Sequence, residues 1–289
     1  VVAVFLTNTE TDSEAALLLE SLQASFPQCK VSLDRSETKQ PYPSMHSVLR
    51  LEGLSIQPEQ VIARVKGLGF ACAILEDTFP PTGEKAEFRE TTFQEKQEMW
   101  GFKPAQSAVL TRGFFLEIGI RNILIPGLGY GRDAQVFREN GIRVTGIEIS
   151  SSAIELARKH YGTVPPIYHG SVTDIPLDNQ KYEGIFCYGL IHLLDRAERA
   201  KLIADCYHQL SDNGYMVFAA ISKKAHTYGK GKPAGFDRFE MFGGVSIFFY
   251  DRESIATECS KVVLEELSEV DEEFPFYLIK CRKLSHSKQ

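Results

Sequence analysis

Residues 1–77 alternate between short apolar runs and stretches with helical spacing. The runs "VVAVFLTN", "KVSLDRSE", "SVLRLEGL" and "ACAILED" read as strands, and "SEAALLLESLQASF" and "QPEQVIARVKGLGF" read as helices. Ser13 is a candidate N-cap of the first helix, and Pro58 lies near the first turn of the second. The order βαββαβ predicts a small α+β domain of the ferredoxin-like type. Because that fold serves many unrelated functions, it leaves the role of residues 1–77 open.

Strands and helices alternate more regularly after a polar, proline-containing stretch, 78–92, which we interpret as a linker. A helical stretch over 93–118 leads to the strand "NILIPG", and further helix–strand pairs follow through "GYMVFAAIS". This alternation predicts a doubly wound, mostly parallel, Rossmann-like α/β sheet within a second domain, 93–289. The last two runs, "KVVLEELSEV" and "FYLIKCRK", predict an antiparallel pair at the sheet edge.

Three glycines interrupt the chain at the end of the first strand of this sheet, in "ILIPGLGYGRDA" (Gly127, Gly129 and Gly131). In doubly wound sheets, ligands bind beyond the carboxyl ends of the strands. Residues without a Cβ allow unusual backbone angles and a close approach of the ligand. The next acidic residue at a strand end is Glu148, and a carboxylate there can accept both hydroxyls of a ribose. The pattern therefore indicates a cofactor that contains adenosine.

The glycine spacing distinguishes between cofactors. A dinucleotide fingerprint reads G-x-G-x-x-G, and its third glycine brings a helix N-terminus close to the pyrophosphate. Here the spacing is G-x-G-x-G, and Arg132 stands where that third glycine is expected. A cofactor without phosphate needs less of the helix dipole, which favours S-adenosylmethionine over NAD. An NAD-dependent oxidoreductase remains the alternative.

Five segments carry a family resemblance: "PGLGYGRDA", "GIEISSSAIELARKHY", "GSVTDIPL", "YEGIFCYGLIHLL" and "LSDNGYMVFAAIS". With them, residues from about 93 to 283 resemble the class I S-adenosylmethionine-dependent methyltransferases. The most similar branch is the small-molecule one that includes the tellurite-resistance and thiopurine methyltransferases. The resemblance implies an enzyme that transfers a methyl group from S-adenosylmethionine to a small-molecule acceptor and releases S-adenosylhomocysteine.

The resemblance also assigns cofactor contacts to residues at or near the strand ends. These are Gly127, Leu128, Gly129, Gly131, Glu148, Ile149, Ser171, Val172, Thr173, Cys187 and Tyr188. Two positions depart from the family pattern. Ile125 stands where many members have an acidic residue, and Ser171 stands where many have aspartate, with Asp174 three residues further on. Both departures weaken the polar anchoring expected for the cofactor.

The chemistry predicted for the site is an in-line displacement, for which orientation and desolvation are required and a general base is optional. His192 is a candidate proton acceptor and Tyr188 a candidate group for orienting the acceptor, and packing against the cofactor is the alternative for both. The long, glycine-rich segment 222–251 is interpreted as a mobile substrate lid, with a solvated surface insertion as the alternative. Candidate substrate contacts in this lid and in the helix before the first strand are Trp100, His226, Tyr228, Arg238, Phe249 and Tyr250.

Composition narrows the classes of partner. A net charge of −6 disfavours broad nucleic-acid binding, and "CYGL" stands where adenine-amino methyltransferases carry [DN]-P-P-[YF]. No apolar run approaches the roughly 20 residues that span a bilayer. Six scattered cysteines without a C-x-x-C pair predict reduced thiols in a cytoplasmic protein, with neither disulfides nor a metal site. We therefore expect no nucleic-acid or membrane partner, and the sequence carries no signal for an oligomeric state. A non-catalytic S-adenosylmethionine-binding regulator remains a further alternative.

Overall fold

A computed structural model describes residues 2–34, 47–52, 58–70, 72–74, 101–162, 165–175, 180–241 and 245–285. Contacts divide the chain into two compact units. One comprises Val1–Gln97, Ile147–Leu156 and Pro166–Gln180, and the other comprises Glu98–Gly146, Ala157–Pro165 and Lys181–Gln289. The proposed linker, 78–92, lies outside the described residues, so the predicted domain boundary stays a prediction.

The N-terminal elements form a four-stranded antiparallel sheet with two helices. In chain order they are β1 (Val2–Thr7), α1 (Asp12–Ser25), β2 (Lys30–Asp34), β3 (Ser47–Glu52), α2 (Pro58–Gly67) and β4 (Cys72–Ile74). The strand order in the sheet is β2-β3-β1-β4, with antiparallel neighbours. Apolar side chains from the sheet and both helices, among them Phe5, Leu18 and Val61, form a buried core. The succession of elements is the predicted one, and the ferredoxin-like assignment stays a prediction.

The start of α1 differs from the prediction. Thr11, and not Ser13, is the N-cap, because its hydroxyl accepts the N–H of Glu14 at 3.2 Å. The Glu14 carboxylate in turn accepts the N–H of Thr11 at 2.9 Å, which completes a capping box. The Thr-x-x-Glu spacing two residues upstream of Ser13 is the signal that fixes this helix end.

The larger sheet has seven strands in the order β13-β14-β9-β8-β5-β6-β7. They are β5 (Asn122–Pro126), β6 (Arg143–Glu148), β7 (Ile167–His169), β8 (Tyr182–Tyr188), β9 (Leu210–Ile221), β13 (Val263–Asp271) and β14 (Pro275–Arg282). The helices of this part are α3 (Gln106–Glu117), α4 (Arg132–Arg138), α5 (Ser151–Tyr161), α6 (Arg196–Gln209) and α7 (Arg252–Glu258). β8 pairs in parallel with β5 and β9, whereas β14 is antiparallel to β9 and β13. The doubly wound, mostly parallel fold and the antiparallel pair at its edge are thereby confirmed.

The direction of strand addition reverses between β5 and β8. The chain builds outwards from β5 through β6 to β7 and then returns to place β8 on the other side of β5. At such a reversal the connections after two neighbouring strands diverge and leave a crevice at their carboxyl ends. The glycine turn after β5 and the segment after β8 therefore border the place where this fold type binds ligands.

An aromatic core holds α3 and α4 on the sheet. Phe115 of α3, Phe137 of α4 and Phe186 of β8 are fully buried. The ring centroid of Phe137 lies 6.1 Å from that of Phe115 and 5.3 Å from that of Phe186. Gly184 leaves room for this packing, because an added Cβ would lie 3.0 Å from the Phe115 ring. This packing holds α3 and α4 against β8.

The helix predicted over 93–118 is interrupted. α3 begins only at Gln106, and the preceding described residues are not helical. Gly101 has φ +63°, which a right-handed helix does not tolerate. Pro104 disfavours helical angles at the residue before it. Residues 93–100 lie outside the described residues.

The segment predicted to be a mobile, glycine-rich loop contains a small antiparallel sheet. Its strands are β10 (Lys232–Gly235), β11 (Arg238–Met241) and β12 (Val245–Phe248), in that order. Gly231, at φ +95°, allows β10 to start, because a Cβ there would collide with the Glu240 carbonyl oxygen. Within its described residues the segment is thus a folded insertion, and Gly231 is required for close backbone packing there.

Candidate functional site

The turn after β5 has the backbone geometry that only glycine adopts readily. Gly127, Gly129 and Gly131 have φ values of +71°, +60° and +84°. At Gly127 an added Cβ would also lie 2.9 Å from the Leu190 Cδ2, whereas at Gly131 its contacts would be ordinary. Left-handed angles at three alternate positions turn the chain sharply from β5 into α4. The backbone angles of the turn therefore account for all three glycines. Because these residues have no side chains, none covers the backbone of the turn at these positions.

Leu128 lies inside this turn with its side chain buried. It points at β6, where an added Cβ on Gly146 would lie 2.6 Å from the Leu128 Cδ1. Any contact of Leu128 with a cofactor would therefore use its backbone. Gly146 is a residue that sequence reasoning missed, and a glycine within the strand "RVTGIE" was the available signal.

Glu148 ends β6 with its carboxylate buried, at 5% exposure. Its Oε1 accepts the N–H groups of Ile149 and Ser150, each at 2.9 Å. These bonds hold the carboxylate over the turn that leads into α5. The Ile149 carbonyl is in turn 3.0 Å from the His169 Nε2, so a histidine at the end of β7 braces the same turn.

The predicted adenine segment forms a short 3-10 helix over Val172–Asp174. Ser171 is its N-cap and accepts the Thr173 N–H at 3.2 Å, and the two hydroxyls lie 2.7 Å apart. Ser171 therefore has a structural function of its own at the position where many family members carry aspartate. The Asp174 side chain lies outside the described part of the structure.

Cys187 lies near the carboxyl end of β8 and is fully buried. Burial raises the pKa of its thiol to about 12. The thiol therefore stays protonated at neutral pH and is no nucleophile. Its position leaves its backbone as the group that can face the crevice.

Tyr188, the last residue of β8, is fixed at both its ring and its hydroxyl. The ring stacks on Phe276 with centroids 5.4 Å apart and planes 12° apart, and the Arg132 guanidinium lies 5.5 Å from its centroid. The hydroxyl donates to the Glu272 Oε2 at 2.8 Å. Burial and the neighbouring Glu272 raise the Tyr188 pKa well above its ordinary value. Tyr188 is therefore a proton donor here, not a phenolate base.

His192 follows β8 in a second short 3-10 helix and is buried. Its Nδ1 accepts the backbone N–H of Ile221 at 3.3 Å, and its ring meets Phe276 edge-on at 5.8 Å. Because Nδ1 acts as the acceptor, the neutral ring carries its proton on Nε2. This arrangement favours packing and orientation over acceptance of a proton from a substrate.

Arg132 and Asp133 open α4 immediately after the glycine turn. The guanidinium forms two bonds of 3.0 Å to the Asp133 carboxylate. Asp133 Oδ1 also accepts the backbone N–H of Ala105, just before α3, at 2.8 Å. The residue that replaces the third glycine of a dinucleotide motif therefore belongs to a charged pair that anchors the start of α3.

The candidate substrate residues of the insertion separate into surface and interior groups. His226 is exposed and stacks on Phe274, and Tyr228 is 36% exposed and donates to the Asp237 carboxylate at 2.6 Å. Arg238 donates to the carbonyl oxygens of Leu193 and Leu194, which ties β11 to the segment after β8.

Phe249 and Tyr250 belong to the interior group. They are 0% and 1% exposed, so neither side chain presents a surface to a substrate in this conformation. Tyr250 also donates to the Glu258 carboxylate at 2.8 Å. Trp100, the remaining candidate, lies outside the described residues.

Glu272 is the other residue of this region that sequence reasoning missed. It lies in the turn between β13 and β14, and β14 starts opposite the end of β9, where Phe276 pairs with Ile221. An antiparallel strand added to parallel ones begins at their carboxyl edge. The turn before a predicted edge hairpin strand was therefore the signal that could have found it.

The described part of the chain has neither a metal-binding cluster nor a membrane-spanning helix. No group of three or more histidine, cysteine, aspartate or glutamate side chains there is arranged to hold a metal ion. None of its helices combines the length and apolarity needed to cross a membrane.

Comparison with known proteins finds a similar sequence family and a shared fold. The sequence model described as "Methyltransferase domain" matches residues 124–218, which run from β5 into β9. A search of curated proteins finds no match to the sequence.

Three solved structures illustrate the structural likeness. The Burkholderia thailandensis 1,6-didemethyltoxoflavin-N1-methyltransferase, with bound 1,6-didemethyltoxoflavin and S-adenosylhomocysteine, is 14% identical, with a TM-score of 0.55 over 74% of this chain and 96% of that one. Magnesium protoporphyrin IX methyltransferase from Synechocystis PCC 6803, with bound S-adenosylmethionine, is 9% identical, with a TM-score of 0.52 over 70% and 98%. An S-adenosylmethionine-dependent methyltransferase from Methanosarcina mazei is 15% identical, with a TM-score of 0.52 over 57% and 93%. At such identities, the likeness establishes the fold.

The sheet order, the glycine turn at its reversal point and the family match over the same strands agree with one another. Together they show that this chain has the fold of the class I S-adenosylmethionine-dependent methyltransferases, with the methyltransferase domain model matched over residues 124–218.

Proposed function

We propose that this chain transfers the methyl group of S-adenosylmethionine to a small-molecule acceptor, with S-adenosylhomocysteine as the product cofactor. The observation that carries the proposal is the turn of three left-handed glycines after β5, at the reversal point of the sheet. A net charge of −6 supports a small acceptor over a nucleic acid. So does the Burkholderia thailandensis neighbour, whose name specifies a small molecule as its substrate. Placement in the tellurite-resistance and thiopurine branch remains part of the proposal.

The residues present fit the chemistry of S-adenosylmethionine. We assign the Gly127–Gly131 backbone to the amino-acid and ribose portion of the cofactor, because no glycine side chain covers that backbone. A buried carboxylate that its own backbone already orients suits the vicinal hydroxyls of a ribose, so we assign Glu148 to them. The remaining assignments are Ile149 and Ser171–Thr173 at the adenine and the backbone of Cys187 and Tyr188 at the amino-acid portion. When bound, the cofactor supplies the electrophilic methyl group.

The chain's own contribution to the reaction is orientation and the exclusion of water. Cys187 stays protonated, Tyr188 donates a hydrogen bond to Glu272, and the His192 Nδ1 accepts a backbone N–H. None of the three is set up to remove a proton. We therefore propose an acceptor that reaches the site already nucleophilic, such as a thiolate, an unprotonated amine or a heteroaromatic nitrogen.

The folded insertion is the proposed border of the acceptor site. Exposed His226 and Tyr228 and half-buried Arg238 are the proposed contacts, with Phe249 and Tyr250 as the interior that supports them. Arg238 reaches the segment after β8 directly, which supports a position near the crevice. All six cysteines are free and buried, which supports the proposed cytoplasmic location.

Calorimetric titration of the full chain with S-adenosylmethionine, S-adenosylhomocysteine and NAD tests the proposal. We expect micromolar binding of the first two and no binding of NAD. Binding of NAD alone would replace the proposal with the oxidoreductase alternative. Formation of S-adenosylhomocysteine with members of a thiol, amine and N-heterocycle panel then separates an enzyme from a non-catalytic binding protein.

A further inference from the structure

The Glu272 carboxylate joins two parts of the molecule that border the crevice. Its Oε1 accepts both the backbone N–H of Ser107, at 2.8 Å, and the Ser107 hydroxyl, at 2.5 Å. Its Oε2 accepts the Tyr188 hydroxyl at 2.8 Å. One side chain from the β13–β14 turn therefore contacts both the first turn of α3 and the last residue of β8.

The start of α3 depends on such outside contacts. Its N-cap, Ala105, has no side chain that could accept a hydrogen bond from the first turn. The N–H groups of Ala105 and Ser107 are instead satisfied by Asp133 and Glu272. A carboxylate at a helix N-terminus is also favoured by the helix dipole. Asp133 follows the glycine turn, so both carboxylates that cap α3 belong to segments at the carboxyl edge of the sheet.

Tyr188 depends on the same carboxylate. Phe276 and Arg132 set the plane of its ring, and a further limit on the side chain acts at its hydroxyl. The bond to Glu272 supplies this limit and fixes the direction of the O–H. Because the acceptor is charged, the bond is stronger than one between neutral groups.

We propose that Glu272 is a positioning residue of the methyl-transfer site, which holds the start of α3 and Tyr188 in register beside the carboxyl ends of β5 and β8. This inference rests on the proposed function, since it assigns Tyr188 and the glycine turn to the cofactor. Glu272 acts through these two elements and makes no contact of its own with the cofactor. Loss of its carboxylate therefore loosens the wall of the site while the sheet and its aromatic core stay intact.

The test uses a graded series at one position in the full chain. Glu272→Gln keeps the shape and one acceptor oxygen, and Glu272→Ala removes both contacts. Glu273→Ala is the matched control, because Glu273 is an exposed acidic residue of the same turn. Binding of S-adenosylhomocysteine is measured by calorimetry. Amide hydrogen exchange over residues 102–110 reports the order of the start of α3.

We expect Glu272→Ala to weaken S-adenosylhomocysteine binding by roughly tenfold or more and to speed exchange over 102–110. Glu272→Gln should give an intermediate effect on both, and Glu273→Ala should leave both at wild-type values. Combination with Tyr188→Phe tests whether Glu272 acts through Tyr188. The double variant Glu272→Ala/Tyr188→Phe should lose less affinity than the sum of the single losses.

The outcomes separate the inference from the function on which it rests. If the wild type fails to bind S-adenosylhomocysteine, the proposed function falls and the inference falls with it. If the wild type binds and Glu272→Ala binds equally well, only the inference is overturned. Strictly additive losses in the double variant would also overturn it, because Glu272 would then act independently of Tyr188. If Glu272→Ala does not fold, the Gln variant and its exchange pattern decide the same question.

Discussion

Substitution of Gly127 by alanine tests the reason for the glycine turn. Two costs follow from the structure. A side chain at φ +71° costs about 1–2 kcal/mol, because its Cβ crowds the backbone. The new Cβ also lies 2.9 Å from the Leu190 Cδ2, the end of a flexible side chain that must move aside. Since Leu190 follows Tyr188 by two residues, its displacement disturbs the proposed cofactor site.

Gly141 provides the matched control. It has φ +75°, and an added Cβ there would meet nothing within 4 Å. Gly141→Ala therefore carries the backbone cost without the collision, at a position in the turn after α4. Both variants should lose about 2–4 °C of melting temperature for each kcal/mol of destabilisation. Only Gly127→Ala should also lose affinity for S-adenosylhomocysteine, by tenfold or more.

Differential scanning calorimetry and titration with S-adenosylhomocysteine measure the two effects separately. In a Gly127→Ala/Leu190→Ala double variant the collision is removed, so part of the lost affinity should return while the backbone cost persists. Equal affinities of Gly127→Ala and Gly141→Ala would refute the reasoning. The glycines would then serve the turn alone, with no ligand beside them.

Three further outcomes are expected. Glu148→Ala should weaken S-adenosylhomocysteine binding at least tenfold in calorimetry, because two hydrogen bonds to the ribose are lost, and unchanged affinity would remove Glu148 from the site. Deletion of residues 1–77 should leave a folded remainder that binds S-adenosylhomocysteine, because the buried core of the N-terminal elements is formed by residues between Phe5 and Cys72. An insoluble product would show that the boundary is misplaced. A hydrogen bond from Lys223 lowers the pKa of Asp251 from 3.8 to about 2, so its stabilisation is present above about pH 4 and lost as the pH falls towards 2. Acid unfolding followed by circular dichroism should show a flatter pH dependence for Asp251→Asn, and an unchanged profile would contradict this assignment.

Local sequence signals predicted the elements that hydrophobic spacing and turn residues determine. The alternation of strands and helices, the glycine turn and the antiparallel β13–β14 pair all follow from hydrophobic spacing and turn residues, and the structure has them. The predictions failed where a competing local signal was overlooked. Thr11 and Glu14 form the capping box that Ser13 cannot, and Gly101 and Pro104 lie in the non-helical residues before α3, where apolar spacing alone predicts helix.

The predictions about side-chain function depend on surroundings that the sequence does not show. Phe249 and Tyr250 have the aromatic character of substrate contacts, but their side chains are buried. His192 has the chemistry of a base, but its Nδ1 holds the N–H of Ile221. Aromatic and titratable side chains are equally suited to packing and to binding, so their surroundings decide between the two.

The sequence by itself determined the class of fold and the kind of cofactor, because periodicity, turn glycines and a carboxylate at a strand end are local properties of the chain. Only the tertiary structure decided which side chains meet. Glu272 and Ser107 are 165 residues apart in the chain, yet they share a hydrogen bond beside Tyr188. No spacing in the sequence encodes that contact, since it exists only once α3, β8 and the β13–β14 turn have packed on the same edge of the sheet.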